Sequence, residues 1–252
     1  MPRKFRLTDW QTNMRILVAI DDTDNEESIG TGRLARMLAD DLECSGLLSD
    51  SSVTRHQLLV HPSIPYTSHN SCACIAGYAI DSGPEEIGNR ARSFLQENFH
   101  KGANPGLCVM KEESVPDALR EFGMRAQREV IRLTEGKSLA GSADFFIWMG
   151  GETGQGCIGS MAGVGLRSTG NDGRFIGLKG IREIAGTMSV KAIVENCDVF
   201  QVVSTKNEIL GADERIETLD WVRPSLRNGK PVMLVKREGD IWCPAERKKK
   251  SK

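Results

Sequence analysis

The run MRILVAI at 14–20 is nearly continuous apolar sequence, and it meets three carboxylates, Asp21, Asp22 and Asp24, with no turn between. A run this short and this apolar predicts a strand buried on both faces, which requires a sheet covered by helices on both sides. Carboxylates crowded at the end of such a strand repel one another. A hard dication such as Mg²⁺, which takes oxygen ligands and bridges to substrate phosphates, would neutralise them. The same residues also suit a solvated Asp-rich turn that caps the following helix. After that turn Gly30 and Thr31 open a segment with Leu34, Leu38 and Leu42 at i, i+4 and i+8, the spacing of one helical face. Thr31 therefore falls at the start of a helix, where backbone N–H groups and the helix dipole favour an anion.

Further apolar runs predict strands at 53–60, 71–80, 106–111, 143–149, 199–203 and 232–236. Helical periodicity covers 84–99 and 116–132, each with Pro near its first turn, and a helix rich in small residues is expected at 158–166. Prolines at 62 and 65 keep 61–70 in a loop, and 223–230 reads as a basic loop. The charged tail 246–252 is expected to be disordered. Glycines at 150, 151, 154, 156 and 159 lie between the strand at 143–149 and the small-residue helix. Such a loop lets backbone approach a phosphate and presents the positive end of the helix, so Gly154, Gln155, Gly156 and Gly159 are candidate phosphate-cradle residues. No Gly-Lys-Ser/Thr follows, so this is not a Walker motif, and a tight strand-to-helix connection is the alternative.

Lys and Arg number 33 against 34 Asp and Glu, a net charge of -1, so no global field draws polyanions and any such site must be local. No apolar run reaches a membrane span, and 1–11 lacks a secretory signal, which predicts a cytoplasmic protein with no membrane partner. The seven Cys form no C-x-x-C pair, and Cys72 and Cys74 share one strand face beside a core as readily as beside a metal. Lesser candidates for substrate contact are His61, His69 and Asn70 in the proline-bounded loop. Asn171 and Arg174, with Arg167 and Asp172, follow the small-residue helix. Packing or turn roles account for each of them equally well.

Ile-Asp-Asp-Thr-Asp at 20–24, Gly30-Thr31, the stretch LLVHPSIPYTSHNSCA at 58–73 and QGCIGSMA at 155–162 together resemble the kinase-like core of the archaeal 2-agmatinylcytidine synthetase that modifies an isoleucine tRNA. The resemblance implies an α/β (α+β) chain of two lobes. A kinase-like core would be assembled from 14–76 and 140–190, a ferredoxin-like lobe would occupy 77–139, and strands in 191–245 would complete one lobe. It also implies ATP and Mg²⁺, with Asp21, Asp22 and Asp24 as metal or nucleotide ligands, Gly30 and the 154–159 glycines near phosphate, and Thr31 and Asp22 in phosphoryl transfer. Full-length synthetases add an oligonucleotide-binding fold and a zinc ribbon, and the missing C-x-x-C pairs imply a short form without them. The function so expected is an ATP- and Mg²⁺-dependent phosphotransferase or ligase whose partners are a nucleotide and a small-molecule or nucleotide-like substrate. Wobble-cytidine modification of tRNA with a partner supplying RNA binding is one alternative, and a nucleotide-binding regulatory protein without turnover is another.

Overall fold

The structure, a computed structural model, describes residues 14–25, 28–65, 69–142, 144–220 and 222–246. In chain order these form β1 (Arg15–Asp21), α1 (Thr31–Cys44), β2 (Leu48–Gln57), β3 (Ser71–Ala79), α2 (Pro84–Asn98), β4 (Gly106–Lys111), α3 (Asp117–Ala126), α4 (Leu133–Gly141), β5 (Phe146–Met149) and α5 (Gly156–Ser168). There follow β6 (Arg174–Gly177), β7 (Thr187–Ser189), α6 (Val190–Asn196), β8 (Gln201–Ser204), β9 (Arg215–Glu217), β10 (Ser225–Arg227), β11 (Lys230–Glu238) and β12 (Ile241–Pro244).

Alternation along β1 divides its side chains between two cores. Ile16, Val18 and Ile20 pack with Leu34, Leu38 and Leu42 of α1 and with Ile87 and Leu95 of α2. Leu17 and Ala19 pack with Leu119 and Phe122 of α3 and Met161 and Val164 of α5. The two-sided burial expected from the apolar run is thus observed, in a mixed α/β fold with helices on both faces of a large sheet. Cys72 and Cys74 enter the α5 side, fully buried. Among the described residues no three His, Cys, Asp or Glu side chains converge as a ready-made metal site. No described helix is long and apolar enough to cross a membrane.

The strand order is β5-β4-β1-β3-β2-β6-β10-β11-β12-β9-β7, with β8 parallel to β11. Its segment β4-β1-β3-β2, antiparallel throughout and connected β1-α1-β2-β3-α2-β4, is a split βαβ of ferredoxin-like topology. This topology spans 15–111 rather than 77–139. Within 77–139, β4 is hydrogen-bonded to β1 from Asp21↔Gly106 to Ile16↔Lys111, so no break in the sheet falls at residue 77. β6 adds to the outer edge of β2, and β10 joins it to a third core built from Ile193, Val202, Ile216, Met233 and Val235.

Several element limits differ from the sequence reading, for local reasons. β2 starts at Leu48, five residues early, because a bulge near Asp50 (φ 49) carries a polar stretch into the ladder. The helix expected over 116–132 stops six residues early, since the chain leaves α3 at Ala126 and Gln127 turns to hydrogen-bond the Gln57 carbonyl and Asp172, and α4 begins only at Leu133. The basic loop at 223–230 is largely a hairpin: Asn228 (φ 48) and Gly229 (φ 73) make its two-residue turn, and Arg227 pairs with Lys230. Of the charged tail, 247–252 lies outside the described residues, as do Tyr66–Ser68 of the proline-bounded loop.

Glycines on α5 set its distance from the sheet. Gly163 meets Ala19 and Cys72, and Gly156 lies against Gly106 and the Asp21 carbonyl. A Cβ on Gly106 would overlap the Gly156 carbonyl, a backbone group that cannot rotate away. Gly106→Ala is expected to destabilise the chain by about 3 kcal/mol or more, read as a lowered urea midpoint at unchanged slope.

Candidate functional site

The carboxyl end of β1 opens into a cavity of about 790 Å³ walled by the start of α1, the start of α5 and the loops at 58–71 and 102–104. Asp21, Asp22 and Asp24 all line it, together with Gly30, Thr31, Gln155 and Gly159. Gly159 is essential to this arrangement, because a Cβ there would fall inside the Asp21 carboxylate. Burial pushes the Asp21 carboxyl up to about 8, helped by the charges of Asp22 and then Asp24. Asp22 adopts φ 51, a left-handed conformation that costs energy in a residue other than glycine. Its Oδ2 accepts a 3.0 Å hydrogen bond from Gln155 Nε2. Burial raises its pKa also, while the Gln155 bond opposes the rise.

Thr31, the first residue of α1 and nearly buried, donates its hydroxyl to Asp24 Oδ1 at 2.8 Å and accepts from Thr23 Oγ1 at 3.0 Å. Gly30 supplies the φ of 80° that turns the chain into the helix and offers no side-chain cap. The backbone N–H groups of Thr31 and Gly32 have no acceptor among the described residues, so the positive end of α1 is open to the cavity. α5 differs. Its Gly156, Cys157 and Ile158 N–H groups bond the carbonyls of Asn104 (3.0 Å), Gly154 (3.2 Å) and Gln155 (3.1 Å). Gly154 and Gly156 are outside the cavity lining, and the glycines of this segment act as spacers that bring α5 onto β1.

The remaining candidates separate. Asn70 lines the cavity, but its Nδ2 is bonded to the Leu59 carbonyl at 2.6 Å and closes the neck of the loop. His69 also lines it. His61 is exposed outside it and bonded to Ser63. Asn171 braces the hairpin turn through the Asn228 N–H, and Arg174 pairs with Glu246 and Ser225. Asp172 accepts from His56 Nδ1 at 2.7 Å and from Gln127, which ties the turn after α5 to β2. Burial lowers the His56 pKa against the pull of Asp172, leaving the ring neutral. Arg167 is buried over the Phe175 ring, away from the cavity.

Sequence reasoning missed most of the other two walls, having named only Arg223, within a basic loop able to touch phosphates but expected to be solvated. One is apolar, from Leu58, Ala126, Val130, Ile131, Leu133 and Ile158. The other carries Arg33, Arg36, Arg55 and Arg223, which come from α1, β2 and the segment before β10. No motif links these residues. The one available signal was that Arg33 and Arg36, three apart, share a face of α1.

For magnesium the donor chemistry fits, as hard carboxyl oxygens of Asp21, Asp22 and Asp24, with the proton that Asp21 holds below about pH 8 released on binding. Although the carboxylates do not form a closed cage, magnesium binds through one or two of them and takes its other ligands from water and phosphates.

A split βαβ sheet with carboxylates at the end of its first strand, facing an open helix start across a deep cavity, defines an α/β protein with the makings of a phosphate-and-metal site. The comparisons give the particular likeness. No family model matches the chain. It is 29% identical over 160 residues to the isoleucine-tRNA 2-agmatinylcytidine synthetase TiaS of Pyrococcus horikoshii, a match covering 60% of this chain and 36% of that protein. The crystal structure of apo TiaS superposes at a TM-score of 0.51 with 24% identity, covering 60% of this chain and 35% of that one. The crystal structure of TiaS in complex with an isoleucine tRNA and ATP does so at 0.52 with 24% identity, covering 60% and 36%. The chain thus contains a core similar to part of TiaS, and spans about a third of the length of the relatives it matches.

Between about pH 4 and pH 8 the folded chain holds a proton on Asp21 that the unfolded chain has released, so stability falls as pH rises through that window. Asp21→Asn is expected to abolish that slope and to raise stability at pH 8.5 by about 1 kcal/mol or more in urea titrations. Gly159→Ala is expected to destabilise the wild type strongly and the Asp21→Ala background much less, which a double-mutant cycle measures.

Proposed function

We propose that the chain is the catalytic core of an ATP- and Mg²⁺-dependent phosphoryl-transfer enzyme of the agmatinylcytidine synthetase kind, activating a nucleotide for attack by an amine. The observation that carries this reading is the meeting, in one cavity, of Asp21 and Asp22 with a Thr31 hydroxyl already bonded to Asp24. Asp21 and Asp22 would hold the magnesium, which supplies neutralisation of phosphate charge. The open N–H groups of Thr31 and Gly32 would receive a phosphate oxygen, and Gln155 keeps Asp22 aimed at the cavity. Thr31 Oγ1 is placed either to orient the transferred group or to accept it. In the second case the new O–P bond would form at Oγ1 as the bond between the γ-phosphorus and the bridging oxygen of ATP breaks, so that ADP leaves while the hydroxyl proton passes to Asp24 Oδ1. The apolar wall suits a nucleobase. Among nucleotide acceptors, a cytidine of a tRNA is supported by the names of the relatives.

Calorimetric titration with ATP, with and without MgCl₂, tests the reading on wild type and Asp22→Asn. The expected outcome is magnesium-dependent binding, weakened at least tenfold in the variant, with ADP formed once an acceptor is supplied. Full ATP turnover by Asp22→Asn would sink the assignment, and binding without any ADP would favour a regulatory nucleotide-binding role.

A further inference from the structure

Two arginines of the cavity wall, Arg36 and Arg55, keep donors to spare, Asp40 being the acidic neighbour that acts on Arg36. None of the ion pairs among the described residues uses Arg33, Arg36 or Arg55. Arg36 Nη1 bonds the Gly32 carbonyl at 3.1 Å, and Arg55 Nη2 reaches Gln57 at 3.4 Å, which leaves most of the ten N–H donors of the pair unused. The placement is built into the sheet. Ile20, Ala73 and Arg55 are in register across β1, β3 and β2, so Arg55 shares the α1 face with Ile20, two strands along. At about 4.8 Å per strand it stands roughly 10 Å from the carboxylate end of β1. Arg36 comes down from α1, its stem packed on Gly177 of β6, and Arg223 enters from the chain before β10. All three are half-buried. Burial lowers each of their pKa values, and for Arg36 and Arg223 neighbouring arginines add to the effect. In a chain of net charge -1, such a convergence of cations on one cavity wall calls for an anionic ligand.

We propose that Arg36, Arg55 and Arg223 form a second anion subsite, which holds a backbone phosphodiester of the nucleic-acid strand carrying the acceptor nucleotide, apart from the triphosphate at the carboxylate end. The inference rests on the phosphoryl-transfer reading for the identity of the acceptor. Guanidinium groups suit a phosphodiester because their planar fork presents paired donors to two oxygens. Three of them from separate elements fix the strand's position without reading its sequence.

The test uses the full chain and a short single-stranded RNA containing cytidine, with its binding followed by fluorescence anisotropy from 20 to 300 mM KCl. Magnesium-ATP binding is measured separately by calorimetry. Arg36→Gln and Arg55→Gln are each expected to weaken RNA binding about tenfold and to lower the slope of log K against log salt by about 0.7 per lost contact, while ATP affinity changes less than twofold. Arg55→Lys should keep the salt slope and lose part of the affinity. Melting curves of each variant exclude loss of folding as the cause. Equal loss of ATP and RNA binding would assign the arginines to the triphosphate and overturn the proposal. No RNA binding by wild type at 20 mM KCl, or unchanged RNA binding in both variants, would overturn it too. Failure of the ATP titration alone would remove the phosphoryl-transfer reading but leave the salt-dependent RNA contacts standing.

Discussion

Everything at the candidate site depends on how closely α5 approaches the end of β1. Asp21 occupies the space that a side chain at 159 would fill, and Gly156 fits against Gly106 where two backbones nearly touch. With larger residues there, α5 would stand off the sheet, Gln155 would lose Asp22, and the cavity would open along one side. The glycines of this segment thus serve the site by removing volume. The N–H groups of Gly156, Cys157 and Ile158 at the start of α5 are already committed within the fold.

The cavity that results is polarised. Carboxyl groups disfavoured in their charged form by burial, and then by one another, stand at one end, a cluster of guanidinium groups at another, and an aliphatic wall lies between loops. Each charged set is unfavourable alone in a protein without ligand, and the unfavourable terms have opposite signs. The ligand proposed above, with a cation at one end and phosphates along its length, would relieve both. This stored imbalance is common at functional sites, where local energy is given up and recovered elsewhere in the fold.

The sheet's central strand, both its covering faces and the start of α1 were legible because hydrophobic period is a local signal. MRILVAI and the Leu34, Leu38, Leu42 stripe each carry theirs in under a dozen residues. The carboxylates were legible because they follow directly on a strand. What escaped notice depends on register and distance. Arg55 is a site residue only because β2 pairs with β3 at Ala73, and Arg223 because a hairpin returns beside β6. The true extent of the ferredoxin-like unit was hidden in the same way, since β4 beside β1 is a non-local pairing. The 154–159 glycines were singled out for close approach to a phosphate, and what the structure shows of Gly156 and Gly159 is close approach to the end of β1.

The seam at which β6 joins β2 has a bearing on how the chain is made. β6 begins at Arg174, while β2 ends at Gln57, so 116 residues separate the two partners. During synthesis the split βαβ unit can close on α1 and α2 long before β6 leaves the ribosome. Through that interval the outer edge of β2 presents unpaired backbone groups, a template for any extended strand nearby. A register shift between Val53 and Thr54 breaks the regularity of that edge, and Arg55 beside it adds charge. The arginine that faces the cavity in the finished protein would thus also disfavour strand pairing while the sheet is incomplete.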